Sequence, residues 1–437
     1  MKSGAVLSAS SQTADSMVLH ATPRLGPFLA LAVQMGLLQL VFTLTRTLGN
    51  PEFLQLSAIA FGAFLVHYWL PFRWKEPFWI AVSLGGAFFL LPARVAELLI
   101  AAGLVFFAIL RSRLVYKWRV LAITAIFGAL AYGAVKTLPH VPSGFYPVFG
   151  SIFMFRIIIY VYDLSHGKEP ARLLPFLSYF FLLPNYLFSL FPVIDFQTMR
   201  RTYYQRDAHV IAQQGVLWMT RGAIHLMLYR VIVYFNDAYL PDRVTSLGAL
   251  ISTLVLTYLL YLNVSGQFHL VIGMLHLFGY DLPETNRRYL LASSMMDFWR
   301  RINIYWKDFM VKIVYFPVYF KWRKKGEVRA QVVATVAVFV VTWILHSYQY
   351  FWIKGKFEIT WPDTIFWTLL GLLVILNVLW DSKHKRRLPD VSWRGRAVHA
   401  AQVLGTFMLI TTLWSLWSAP TLGSWSYLMT HWIHGGR

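Results

Sequence analysis

Of the 437 residues, 57% are hydrophobic, 17% aromatic and only 14% charged, where a soluble domain carries about 25% charged residues. Repeated long apolar runs exclude a soluble enzyme, and no polar stretch is long enough to form a separate soluble domain. The net charge of +21 sits in short runs beside apolar segments, which points to membrane lipids as partners and away from nucleic acid.

With no cysteine in the chain, disulfides, thiolate metal sites and cysteine nucleophiles are excluded. Residues 1–22, rich in Ser, Ala and Thr, form a polar leader without the basic and apolar regions of a cleaved signal peptide. The remainder, 23–437, reads as one transmembrane domain. A span needs about 20 apolar residues, since about 30 Å of hydrocarbon is crossed at about 1.5 Å per residue. Candidate spans are 27–48, 53–70, 77–92, 95–110, 119–138, 144–163, 173–191, 214–235, 246–263, 331–352, 362–380 and 397–418. Pro71, Pro92, Pro184 and Pro192 fall at or within them, so some segments are expected to be re-entrant or tilted. The fold class is therefore an all-α polytopic membrane protein of about 10–13 spans. No fixed-period repeat and no inverted pair of broken helices marks a transporter architecture.

Three basic segments separate the spans: Arg200 to Arg206, Lys321 to Arg329, and Lys383 to Arg387. The positive-inside tendency places all three in the cytoplasm, where lipid anchoring is their plain use.

Ser293 to His346 carries the densest chemistry. His346 lies 19 residues beyond Glu327 in an apolar helix, about 28 Å along it. An ionisable group inside a span usually marks a site or pathway; the plain alternative is a neutral histidine bonded to a neighbouring helix. Ser347, Tyr348 and Gln349 beside it suggest that this part of the helix lines a wet cavity. Upstream, Asp297-Phe298-Trp299-Arg300-Arg301-Ile302-Asn303 sets an amide beside two guanidinium groups. Asn303 can orient a carbonyl or hold a histidine tautomer, or simply cap a turn. Asp297 can pair with Arg300 or Arg301 at helical spacing. Trp299 and Trp306, seven apart, can share a helix face for packing.

There is no G-x-S-x-G elbow, no H-E-x-x-H and no His pair at metal spacing. No metal site is expected. What remains for His346 is general-base catalysis on an acceptor hydroxyl, without a covalent enzyme intermediate. A proton-coupled transporter or flippase is the rival reading; it needs further intramembrane acids, and only Asp163 and Asp195, near span ends, qualify. A structural scaffold would leave His346 replaceable.

From about Phe153 to Asn377 the chain resembles the membrane-bound O-acyltransferase family, in particular its bacterial branch. The resemblance rests on Phe155-Arg156, Tyr162-Asp163-Leu164, the stretch from Leu177 to Phe196, Ser265-Gly266, Ile272-Gly273, Leu277 to Tyr280 and Leu282 to Asn286. It continues through Asp297 to Ile304 and Tyr315-x-Pro317 and ends on His346. Ile302-Asn303 stands where the bacterial branch carries Trp-His, and Asn there is similar to the sterol and diacylglycerol acyltransferases. The histidine segment lacks the Leu-Trp-His-Gly form of polysaccharide acetyltransferases. The 43-residue separation of Asn303 and His346 is compatible with the family's paired constellation.

The resemblance implies helices in a ring around a central tunnel, and transfer of a short acyl group from a thioester to an envelope-glycan hydroxyl. His346 and Asn303 would be catalytic; Trp299, Arg300, Arg301, Asp297, Tyr315 and Gln349 would bind substrate or donor. No tightly bound cofactor is implied. The partners would be an acyl-CoA or acyl-carrier donor, a glycan or lipid-linked acceptor, and envelope proteins. The location would be the bacterial inner membrane. Lipid or protein acylation is the alternative within the family.

Overall fold

The computed structural model describes residues 16–136, 141–167, 170–236, 241–384 and 392–434. Most of the polar leader and Lys385 to Arg387 of the third basic segment lie outside them. Among the described residues the regular structure is helical, and a single isolated bridge joins Tyr203 to Tyr280. Nine helices among them are long and apolar enough to cross a membrane. The protein is an integral, multi-pass membrane protein.

The spans expected at 331–352, 362–380 and 397–418 are the helices Glu327–Lys354, Trp361–Lys383 and Trp393–Ser418. The expected 246–263 span continues, kinked, to Leu277. A further helix, Leu422–His434, has no counterpart in the sequence reading.

The expected span at 173–191 needs correction. Helix Leu173–Phe180 stops after eight residues, and a 3-10 turn, Leu183–Tyr186, follows with Pro184 in it. The freed backbone groups at this break are met by Arg156, which is 2% exposed. Its Nη1 donates to Tyr179 O at 2.6 Å, and its Nη2 to Phe180 O at 3.1 Å and Asn185 Oδ1 at 2.6 Å. Asn185 Nδ2 in turn donates to Ser151 Oγ, which donates to Phe188 O. A guanidinium presents five donors in a fixed fork, so one side chain closes a helix end that has no water to turn to. Arg156→Met would strand these acceptors at about 1–3 kcal/mol each. It is expected to destabilise the detergent-solubilised protein by at least about 3 kcal/mol, read as a lowered thermal unfolding midpoint.

By contact density the chain forms two units. The first holds Met1–Ile224, Gly266–Pro283 and Trp352–Gly355; the second holds His225–Ser265, Glu284–Phe351 and Lys356–Arg437. In the first, the helices Ala208–Asn236 and Leu262–Leu277 meet backbone to backbone. A Cβ at Gly215 would lie 2.6 Å from Gly273 O, and one at Gly273 would lie 2.6 Å from Gly215 O. Small residues at such a crossing let dispersion replace the hydrophobic drive that lipid removes.

The second unit has one aromatic core. Tyr258, Tyr261, Phe298, Phe339, Phe366, Trp367, Leu370 and Ile410 are buried in it, with Trp299, Trp343, Trp414 and Trp417 packed at its edge. Gly371 lets the helices Glu327–Lys354 and Trp361–Lys383 close on each other: a Cβ there would sit 3.0 Å from the Phe339 ring.

Candidate active site

Asp297 opens the site sequence in a structural role. Ser294 caps helix Met295–Arg301 by accepting from Asp297 N at 3.1 Å, while Asp297 Oδ2 accepts from Ser293 N at 3.1 Å. Its other oxygen accepts from Arg301 Nε at 2.7 Å, the pair expected from the four-residue spacing. Asp297 and Arg301 are thus engaged with one another, and Arg300 is exposed. Trp299 lies against Phe339 with ring centroids 4.8 Å apart.

The helix does not continue through Asn303, so Trp299 and Trp306 share no face; that expectation is corrected. The segment Thr285–Arg287 runs past the break and takes its hydrogen bonds. Arg287 N donates to Arg301 O at 2.8 Å, Ile304 N to Thr285 O at 2.8 Å, and Asn303 N to Asn286 Oδ1 at 2.8 Å. Asn286, 4% exposed, also accepts from the Tyr261 hydroxyl at 3.0 Å and donates from Nδ2 to Ser265 Oγ and Thr285 Oγ1. Asn303 itself has φ 39° and ψ 63°, the left-handed region that asparagine tolerates best after glycine. Its Oδ1 accepts from Trp306 N at 3.3 Å and caps helix Ile304–Met310. Its Nδ2 has no hydrogen bond among the described residues.

Tyr315 ends a π-helical turn, Val311–Tyr315, just before Pro317, and stacks on Tyr319 at 5.8 Å. Gln349 is half-buried, one turn beyond His346.

His346 sits within helix Glu327–Lys354 with its side chain about one-third exposed, at 34%. No hydrogen bond joins it to Asn303 among the described residues. Its neighbours come from other helices. The imidazole lies against Trp367 and Trp417, with centroids 5.8 and 4.9 Å away, and its Nδ1 is 3.9 Å from Asp363 Oδ1. Asp363 is 8% exposed. Its Oδ1 accepts from Trp367 Nε1 at 3.1 Å and from Trp417 Nε1 at 2.8 Å. Trp367 also walls an apolar cavity of about 200 Å³ with Phe339, Trp343, Gly371 and Leu372.

Asp363 is the residue that sequence reasoning missed. It adds a third acid near a span end to Asp163 and Asp195, the only candidates in the sequence reading. One signal was available and misleading. Thr360-Trp361-Pro362-Asp363 reads as a capping box, an innocuous helix start. Only half of that box forms: Thr360 Oγ1 accepts from Asp363 N at 3.2 Å, while the carboxylate turns to the tryptophans and His346.

No family model matches the chain. The probable alginate O-acetylase AlgI of Pseudomonas fluorescens is 24% identical over 164 residues, 36% of this chain and 32% of that protein. Acyl-CoA–sterol O-acyltransferase 1 of Arabidopsis thaliana is 26% identical over 133 residues, 30% of this chain and 36% of that protein. The probable long-chain-alcohol O-fatty-acyltransferase 6 of the same plant is 31% identical over 138 residues, 31% of this chain and 38% of that protein. Over these stretches the chain is similar to named O-acyltransferases, in keeping with its resemblance to the membrane-bound O-acyltransferase family. It spans about a third of the length of the alginate O-acetylases from Pseudomonas fluorescens and Pseudomonas putida that it matches.

Proposed function

We propose that the protein is a membrane O-acyltransferase in which His346 is the general base. The observation that carries this reading is a histidine deep in an apolar helix, held by ring packing, with no hydrogen bond on Nε2 among the described residues. In the proposed step, Nε2 takes the proton of an acceptor hydroxyl as its oxygen attacks the thioester carbonyl carbon. The C–S bond breaks, and the departing thiolate takes the proton back from the imidazolium. The products are an ester and a free thiol. Asn303 Nδ2 would donate to the carbonyl oxygen as charge develops there. No tightly bound cofactor enters the scheme.

The donor is an acyl-CoA or acyl-carrier thioester, drawn from the cytoplasm by Arg300 and the basic segment from Lys321. The acceptor is a hydroxyl of an envelope glycan and the acyl group is short, with the bacterial inner membrane as the location. The relatives named for alginate support this choice; those named for sterols and long-chain alcohols support a lipid acceptor instead.

The test uses purified protein in nanodiscs with acetyl-CoA or palmitoyl-CoA and three acceptors: an oligouronate, a sterol and a long-chain alcohol. Acceptor-dependent release of free CoA with formation of the ester is the expected result. Absence of ester with every pairing would overturn the reading.

The Asp363–His346 pair also favours one rival, a proton-conducting transporter, because such a relay needs an intramembrane acid. A proton flux in liposomes that is lost in His346→Ala, without thioester cleavage, would establish that reading in place of the first.

A further inference from the structure

We infer that Asp363 is a positioning residue for His346, fixing its Nδ1–H tautomer and holding the imidazolium formed during transfer. The inference rests on His346 acting as the base.

Four observations carry it. Asp363 Oδ1 faces His346 Nδ1 at 3.9 Å, ion-pair range but longer than a hydrogen bond. Catalytic hydrogen bonds are often long before substrate binds and tighten in the reacting complex. The carboxylate is oriented by two indole donors from different helices, Trp367 Nε1 and Trp417 Nε1, so its position does not depend on His346. Its second oxygen, Oδ2, is buried with no hydrogen-bond partner among the described residues, an expensive state for a buried carboxylate unless a charge arrives beside it. Finally, Asp363 occupies the first turn of helix Trp361–Lys383, where the helix dipole favours an anion.

The geometry divides the imidazole between two tasks. Nδ1 keeps its proton and points it at Asp363; Nε2 is left with its lone pair for the acceptor hydroxyl. When Nε2 is protonated, the positive ring lies next to the carboxylate, and the 3.9 Å approach closes to a hydrogen bond. No proton passes to Asp363, and the proton on Nε2 returns to the departing thiolate. Trp367 and Trp417 do double duty, because the same two side chains that bond the carboxylate also flank the imidazole ring. The role follows the general logic of an acid that orients a base without itself being protonated.

The experiment compares Asp363→Asn with the parent protein in nanodiscs, using acetyl-CoA and the acceptor that supports turnover. Asparagine keeps the size and an acceptor oxygen for the indoles while removing the charge. The expected result is a fall in kcat of at least about 100-fold, with KM for acetyl-CoA within about twofold and the melting midpoint within about 3 °C. In a His346→Ala background the same change is expected to have no further effect, since residues acting as a unit are not additive. Asp363→Glu against Asp363→Gln supplies a second contrast that does not depend on the asparagine variant folding. The glutamate form should exceed the glutamine form in kcat by at least about tenfold.

Parent-like kcat in Asp363→Asn, or equal kcat in the Glu and Gln forms, overturns the inference. If His346→Ala abolishes turnover while Asp363→Asn does not, only the role of Asp363 fails. If His346→Ala turns over normally, the base assignment has failed first.

Discussion

His346→Ala is expected to lower turnover by roughly 10²- to 10⁴-fold, the usual cost of removing a general base, while the protein still inserts and folds. The structure separates the two effects. Among the described residues His346 forms no hydrogen bond that its removal would strand, and about a third of its side chain is already open. What alanine removes is ring contact with Trp367 and Trp417. These two tryptophans remain bonded to Asp363 and packed with Phe366, whose ring stacks on Trp417 at 4.8 Å. The stability cost should therefore stay near about 1 kcal/mol. Release of free CoA from acetyl-CoA, followed alongside thermal unfolding, checks both halves. Near-parent turnover in a folded His346→Ala protein would remove His346 from the chemistry. Loss of folding would reassign the ring to the aromatic core.

What was legible in the sequence follows from the range over which each feature is determined. The long apolar helices were legible because the bilayer sets their length and demands that each satisfies its own backbone. Asp297 with Arg301 was legible because a four-residue spacing decides it. The place of His346 within an apolar helix was legible because an ionisable group stands out against Val, Phe and Ile. The break at 180–183 was marked by Pro184, but what holds it was not legible, since that comes from Arg156, more than 20 residues upstream. The cap at Asn303 was one of the uses the sequence allowed; the partners of the interruption were hidden, because Thr285 and Asn286 come from a separate segment. Asp363 was hidden differently. A helix-start aspartate has an ordinary local explanation, and only the tertiary approach of Trp417 and His346 shows that its carboxylate is employed elsewhere.

Asn303 calls for a substitution that separates its two duties. Alanine there would confound them. It would force an ordinary residue into the left-handed region, at about 1–2 kcal/mol, and remove the cap on Trp306 N, at about 1 kcal/mol. Glycine avoids the first cost, since it enters that region freely, and reduces the second to a few tenths of a kcal/mol. Asn303→Gly therefore leaves the turn and deletes the amide. If Nδ2 donates to the reacting carbonyl, kcat should fall roughly 10²-fold with KM for the donor unchanged, because the bond strengthens only as charge develops. Asn303→Ala should show the same kinetic loss plus a stability loss of about 2–3 kcal/mol. Parent-like kcat in Asn303→Gly would assign the residue to the turn alone. The three hydrogen bonds from Thr285, Asn286 and Arg287 would then be enough to hold the break open without it.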